Sequence, residues 1–206
     1  MSINPEKALK RIQEAKQKQL TKLDLSFCQL DCVPEEVFTL TNLTVLYLTS
    51  NRITAIPHGI SKLLNLKYLD LTYNQISSIP DFISQLSNLI YLDLSYNRIN
   101  VIPDEISKLS NLQKLYLISN RLTNIPNSIS KLLSLVELDL TYNQITMVPE
   151  SISKLSNLGK VNLYSENTGN DGLYLYGNPI HTPPPPILSK GLESIKKYYQ
   201  LSIENG

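Results

Sequence analysis

The chain has 206 residues, 42% of them hydrophobic and 18% charged, with a formal net charge of +1. That composition supports a buried core and excludes a disordered tail. The near-neutral balance, with no basic block, argues against a nucleic-acid binder, which needs a dense Lys/Arg stripe. No apolar stretch reaches the roughly 18 residues of a membrane span, and the start, Met1-Ser-Ile-Asn-Pro-Glu-Lys7, lacks the apolar segment of a secretory signal.

Residues 1–19 read as an N-terminal capping helix. Pro5 suits a first turn, and Ala8, Leu9, Ile12 and Ala15 form an apolar stripe opposite Lys7, Lys10, Arg11, Lys16 and Lys18. From Leu20 the chain repeats every 23 residues without insertion or deletion for six periods. Leu20, Leu43, Leu66, Leu89, Leu112, Leu135 and Leu158 each open a unit reading L-x-x-L-x-L-x-x-N-x-I/L, followed in most units by I-P-x-x-I-x-x-L. A repeat of that length means stacked units burying a shared core. The two cysteines, Cys28 and Cys32, read as reduced thiols, with Cys28 where later units carry Asn. This points to a cytoplasmic protein.

Within one unit, Leu69 and Leu71 alternate with Tyr68 and Asp70, the period of a strand. The leucines point inward. Asn74 stands at a corner, where its amide can bond its own and the neighbouring unit. Asn51, Asn97, Asn120 and Asn143 share that place, so the amides should form a ladder. Pro80 fixes φ at the start of the return segment, as do Pro34, Pro57, Pro103, Pro126 and Pro149. Successive strands are then parallel and about 4.8 Å apart. A return side bulkier than the strand side bends the array, with the sheet inside the curve.

Near the end the pattern slips. Val161 and Leu163 begin a seventh unit, but Glu166 takes the Asn place, and the expected continuation comes at Leu173-Tyr-Leu175-Tyr-Gly-Asn178. About twelve residues are therefore inserted near 164–175, close to the end of a strand. They read either as drift at a tolerant edge or as a recognition loop on the rim. Pro183–Pro186 form a stiff extended run. Residues 188–206 read as a C-terminal capping helix or connector, with Leu188, Leu192, Ile195 and Tyr199 on one face.

This pattern resembles the leucine-rich repeat (LRR) family in its 23-residue form with I-P-x-x-I return segments, over residues 20–187 in seven to eight units. The resemblance implies an α/β solenoid: a right-handed horseshoe with a concave parallel β-sheet and a capping helix at each end. The Ala8-Leu-Lys-Arg-Ile-Gln-Glu-Ala15 helix leading into Leu23-Asp-Leu25, and Gly177-Asn-Pro-Ile180 followed by a Pro-rich run and Gly191-Leu-Glu-Ser-Ile-Lys-Lys-Tyr-Tyr199, look like the repeat region of Roco-family proteins. There it precedes a Ras-like GTPase module. These 206 residues carry no G-x-x-x-x-G-K-[ST] phosphate loop, so nucleotide hydrolysis is not assigned to them.

On the concave face, the site between the two strand leucines holds Asp24, Tyr47, Asp70, Asp93, Tyr116, Asp139 and Asn162; two residues earlier the middle units carry Tyr68 and Tyr91; three residues later come Tyr73, Tyr96 and Tyr142. Seven of the twelve tyrosines fall in this set. The rows read either as surface ladders packing across strands or as interface anchors. The second reading makes Tyr47, Tyr68, Asp70, Tyr73, Tyr91, Asp93, Tyr96, Tyr116, Asp139 and Tyr142 the partner-binding set. Asp70 and Asp93 sit side by side, which makes a Lys or Arg from a partner welcome. Calcium wants six to eight oxygens, and a catalytic carboxylate pair would need a pocket, nucleophile or nearby His. The face, roughly 35 by 13 Å, falls short of the about 800 Å² per partner of a standard interface. A stable partner must also use the rims, including Arg52, Arg98 and Arg121.

The sequence thus reads as a non-enzymatic module for protein–protein recognition, without cofactor, metal or small-molecule substrate. It either serves a linked GTPase domain or acts as a free-standing adaptor or effector.

Overall fold

The computed structural model describes residues 5–164 and 171–204. Helix α1 (Pro5–Gln17) leads into strands β1 (Lys22–Asp24), β2 (Val45–Tyr47), β3 (Tyr68–Asp70), β4 (Tyr91–Asp93), β5 (Lys114–Tyr116), β6 (Glu137–Asp139), β7 (Lys160–Asn162) and β8 (Gly172–Tyr174). The helical turn α2 (Pro185–Leu188) and helix α3 (Leu192–Glu204) close the array. All eight strands among the described residues are parallel and form one open sheet.

Each return segment is a five-residue 3₁₀ turn entered through proline. Pro57, Pro80, Pro103, Pro126 and Pro149 hold extended backbone with φ between −68° and −78°, and Pro34 does the same at −58°. Proline supplies that φ without a donor to satisfy. The core is one column. In a central unit Leu89, Leu92, Leu94, Ile99, Ile102, Ile106 and Leu109 are all buried, each such side chain contributing about 1.5–3 kcal/mol.

Two amide ladders lace the units together. At the inner corner, Asn97 accepts the Ile76 N–H at 2.9 Å and donates to the Leu71 and Leu94 carbonyls at 3.0 Å each. Asn51, Asn74, Asn120 and Asn143 repeat this arrangement. A second ladder, not anticipated from the sequence, runs along the outer corner. There the Asn before most opening leucines donates to the preceding unit, as Asn65 does to the Thr41 carbonyl, Asn88 to Leu64, Asn111 to Ser87 and Asn157 to Leu133, with Ser134 interrupting the row. Its signal was the recurring Asn-Leu dipeptide.

The strand order departs from the expectation. It runs β1-β2-β3-β4-β5-β6-β8-β7, so β8 is wedged between β6 and β7. Leu173, not Val161, lies beside Leu138, and Val161 is one place further out, beside Leu173. The corner amide explains the choice. Asn178 follows β8 and continues the ladder, accepting the Ile145 N–H at 3.0 Å and donating to Leu140 and Leu175 at 2.8 and 3.0 Å. The segment after β7 carries Glu166 at that place, and a carboxylate has no N–H to donate. Of the expected insertion, residues 165–170 lie outside the described residues.

The ends also differ in detail. Helix α1 stops at Gln17, through a left-handed Gln19 (φ 50°) and a bond from the Leu20 N–H back to the Ala15 carbonyl, a Schellman closure. Ala8, Ile12 and Ala15 pack on the core, whereas Leu9 is exposed. Arg11 leaves the basic face to bond the Asp24 carbonyl at 2.8 Å. At the other end the proline run does not stay extended throughout, because Pro185 starts α2. Gly191 (φ 94°) breaks the chain before α3, which packs through Ile195 and by the Tyr199 hydroxyl donating to the Val148 carbonyl at 2.9 Å.

Candidate functional site

The strand register fixes which concave side chains meet. Tyr68 opposes Tyr91, Asp70 opposes Asp93, Tyr47 opposes Asp70, and Asp93 opposes Tyr116. Tyr68 and Tyr91 stack nearly parallel, with ring centroids 3.9 Å apart at 7°. Tyr47 and Tyr116 lean on them diagonally at 5.2 Å each. Four rings from four successive strands therefore form one continuous column across β2–β5. Lys22 rests over the Tyr47 ring at 4.9 Å and extends the column toward β1.

Tyr73, Tyr96 and Tyr142 stand apart from that column. They occupy the left-handed corner before each ladder Asn, with φ of 54°, 55° and 55°. Such backbone costs about 1–2 kcal/mol for a residue with a Cβ. Tyr73 and Tyr96 stack at 4.2 Å and 10°, and remain 52% and 39% exposed. Ser119 interrupts the row, so Tyr142 does not join them; it meets Tyr176 edge-on at 5.4 Å and lies against Gly177. Arg52, Arg98 and Arg121 are exposed beside the inner ladder.

The aspartates have a structural duty that the sequence reading did not assign. The Oδ1 atoms of Asp24, Asp70, Asp93 and Asp139 accept the N–H two residues on, from Ser26, Thr72, Ser95 and Thr141, at 2.8–2.9 Å. The recurring D-L-[ST] was the available signal, an Asx turn at the strand end. Asp93 also accepts the Tyr91 hydroxyl at 3.2 Å on Oδ2. Burial pushes the Asp93 carboxyl above its ordinary range, and the Asp70 charge adds to this against the Ser95 and Tyr91 hydrogen bonds. Burial likewise raises the Tyr68, Tyr91 and Tyr116 hydroxyls, so the column stays protonated at neutral pH.

Asp139 corrects the expected site. It was read as facing solvent, yet it is 0% exposed, as are Glu137 and Tyr174 within a few percent. All three positions of β6 and of β8 are buried, so Asp139 does not face solvent as expected. Lys114 marks the border: it pairs with Glu137 at 2.7 Å and with Asp171 at 3.7 Å, and the Glu137 hydrogen bond raises its pKa. The open face is β1–β5, with the tyrosine column on β2–β5.

Comparison with known proteins agrees with this architecture. The family described as "Leucine-rich repeat region" matches residues 57–173, and that described as "Leucine rich repeat" matches 18–76. The chain belongs to the leucine-rich repeat family. No curated protein matches it in a sequence search. Among solved structures it is similar to an LRR protein of Leptospira interrogans (29% identity, TM-score 0.62, covering 82% of this chain and 52% of that one). It is also similar to an internalin from Listeria monocytogenes (26%, TM-score 0.68, 82% and 45%). A third is the LRR ectodomain of a plant membrane receptor kinase from Arabidopsis thaliana, in complex with CASPARIAN STRIP INTEGRITY FACTOR 2 (31%, TM-score 0.59, 72% and 17%). The chain spans about half or less of each of these proteins. LRR domains generally mediate protein–protein interaction, and the fold is a non-enzymatic scaffold. No described helix of this LRR chain is long and apolar enough to cross a membrane.

Proposed function

We propose that this LRR chain is a cytoplasmic recognition module that takes a protein partner on the concave face of β2–β5. The supporting observation is the column Tyr47–Tyr68–Tyr91–Tyr116, which lies half-exposed on a curved sheet. Tyrosine offers a large rigid contact area with a polar tip and little side-chain entropy to lose, the profile of an interface anchor. Tyr73 and Tyr96 extend that surface to the corner, and Arg52, Arg98 and Arg121 supply the rim.

By its resemblance to the Roco repeat region, with I-P-x-x-I units and similar ends, the module would present a partner to a linked Ras-like GTPase or restrain it. The alternative is a free-standing adaptor or effector acting on host or signalling proteins, a reading favoured by the likeness to two bacterial LRR proteins. The reading frame beyond Gly206 separates them: a phosphate-loop module supports the first, a stop codon the second.

The experiment for the binding face is a crosslinked pull-down. It compares the intact chain with a variant in which Tyr68, Tyr73, Tyr91 and Tyr96 are all changed to Ala, with folding checked by circular dichroism. A protein captured by the intact chain and lost by the folded variant supports the concave face. A partner kept by both removes that assignment and turns attention to the rims and terminal helices.

A further inference from the structure

We propose that the groove between α2 and α3 is a second docking site, which takes a protein segment carrying large apolar side chains flanked by carboxylates. The site lies at the C-terminal end of the stack, off the sheet, and stands independently of the concave-face reading. A capping helix needs one apolar stripe toward the core and a polar outer face. In α3, Leu192, Ile195 and Tyr199 supply the inward stripe. Tyr198 and Leu201 form a second one, about a third of a turn away around the helix, which capping leaves unused. With Ile187 of α2 they line a groove of about 570 Å³, within the range of about 300–1,000 Å³ typical of specific pockets. Leu201 is 48% exposed there.

The walls are fixed before anything binds. Leu188 and Ile195 are both fully buried and anchor α2 and α3. The Tyr199 hydroxyl is held by the Val148 carbonyl, and Tyr198 meets the Tyr199 ring edge-on at 5.3 Å, which holds it at the groove. A preformed groove has little ordering of its own to undergo on binding.

Charge selects the occupant. Lys190 and Lys197 are exposed and line the same groove. Among the described residues no acidic side chain lines it, and neither lysine takes part in an ion pair. An apolar floor beside two uncompensated ammonium groups complements apolar anchors with Asp or Glu next to them. A second copy of this chain, docked groove to groove about a twofold axis, would bring lysines against lysines. A membrane surface takes up an apolar face lying in its plane, whereas these side chains line a hollow that a projecting side chain fills.

The chain holds no tryptophan, so a tryptophan in the probe reports its own seating. The full chain is titrated at low salt with acetyl-Gly-Glu-Glu-Leu-Trp-Glu-Glu-Gly-amide and with counterparts carrying Gln or Lys in place of Glu. The Glu peptide is expected to bind with a Kd of about 100 μM and a blue-shifted emission, the Gln peptide about fivefold more weakly, and the Lys peptide not measurably. The double variant Lys190→Glu, Lys197→Glu changes two exposed side chains and should fold. It should weaken the Glu peptide about tenfold and admit the Lys peptide instead. Leu201→Ser, its fold checked by circular dichroism, should weaken the Glu and Gln peptides alike by about fivefold. Tyr68→Ala, Tyr91→Ala should leave the affinity unchanged, which separates this site from the concave face. Equal binding of the three peptides, no response to the charge reversal, loss of binding in the concave-face variant, or no emission shift at about 2 mM peptide overturns the proposal. Capture by phosphatidylserine vesicles, or dimerisation in sedimentation, that depends on Leu201 and is not competed by the Glu peptide also overturns it.

Discussion

A single side chain in this protein is judged by what its 23-residue relatives do in the same place. Asn97 satisfies three backbone groups that no water reaches, so Asn97→Ala should cost about 2–4 kcal/mol. Asn88, on the exposed outer ladder with one bond, should cost under about 1 kcal/mol on the same change; chemical denaturation of both variants checks the contrast. Gly59 departs from its equivalents for a visible reason. A Cβ there would lie 2.1 Å from the Phe38 ring, which fills a place occupied by Ser61 in the next unit. Gly59→Ala should destabilise by about 1–3 kcal/mol through overpacking, measured by the same denaturation. Asp93 gives a pH signature. Its folded carboxyl titrates above the unfolded value of 3.8, so the protonated group stabilises the fold and that contribution fades as pH rises from the unfolded value through the folded one. Asp93→Asn keeps the acceptor for Ser95 without the charge. Its melting temperature should exceed that of the wild type at about pH 7, and the gap should close toward about pH 4.

At the scale of elements, the competition between β7 and β8 for the place beside β6 is the instructive case. Both carry the alternating apolar pair, Val161 and Leu163 against Leu173 and Leu175, and β7 alone arrives at the regular spacing. Spacing therefore pointed to β7. The structure instead seats the segment with the corner amide, because a missing Asn leaves buried carbonyls and an N–H without partners, at about 1–3 kcal/mol per group. Asn178→Ala should accordingly speed hydrogen exchange at the Leu173 and Leu175 amides while β3 and β4 keep their protection; uniform loss across the sheet would contradict this. The regular units were legible because every rule pointed the same way: leucines at period two, Asn at the corner, proline at the return. The site was legible in part. Alternation showed that the tyrosines and aspartates share a face, but not that Tyr73 and Tyr96 sit on left-handed corners away from the four-ring column. Nor could it show that Asp139 is buried, because alternation gives the face a side chain takes and not what lies over it.

Taken whole, the molecule is a one-dimensional stack in which each unit touches chiefly its neighbours, held at one end by α1 and at the other by α3. The buried concave positions of β6 and β8 limit the usable face to about five strands, β1–β5, roughly 20–25 Å. A partner that reads this face along its length meets, in order, Lys22, the tyrosine column with its acidic pair, and the Lys114 cluster.

The uninterrupted period has a further consequence for how such a chain changes length. Tyr68 and Tyr91, and Leu69 and Leu92, are equivalent by register, so excising residues 69–91 would join Tyr68 to Leu92 with every corner, strand and turn still in phase. The genetic lesion that does this is an in-frame loss of one unit, and the protein should heal across it as a shorter stack, whereas loss of a single residue in the same place would misalign a corner. Binding reach in this architecture is thus inherited in whole steps, and the acidic pair, which needs two adjacent strands, is the kind of feature that one such step erases.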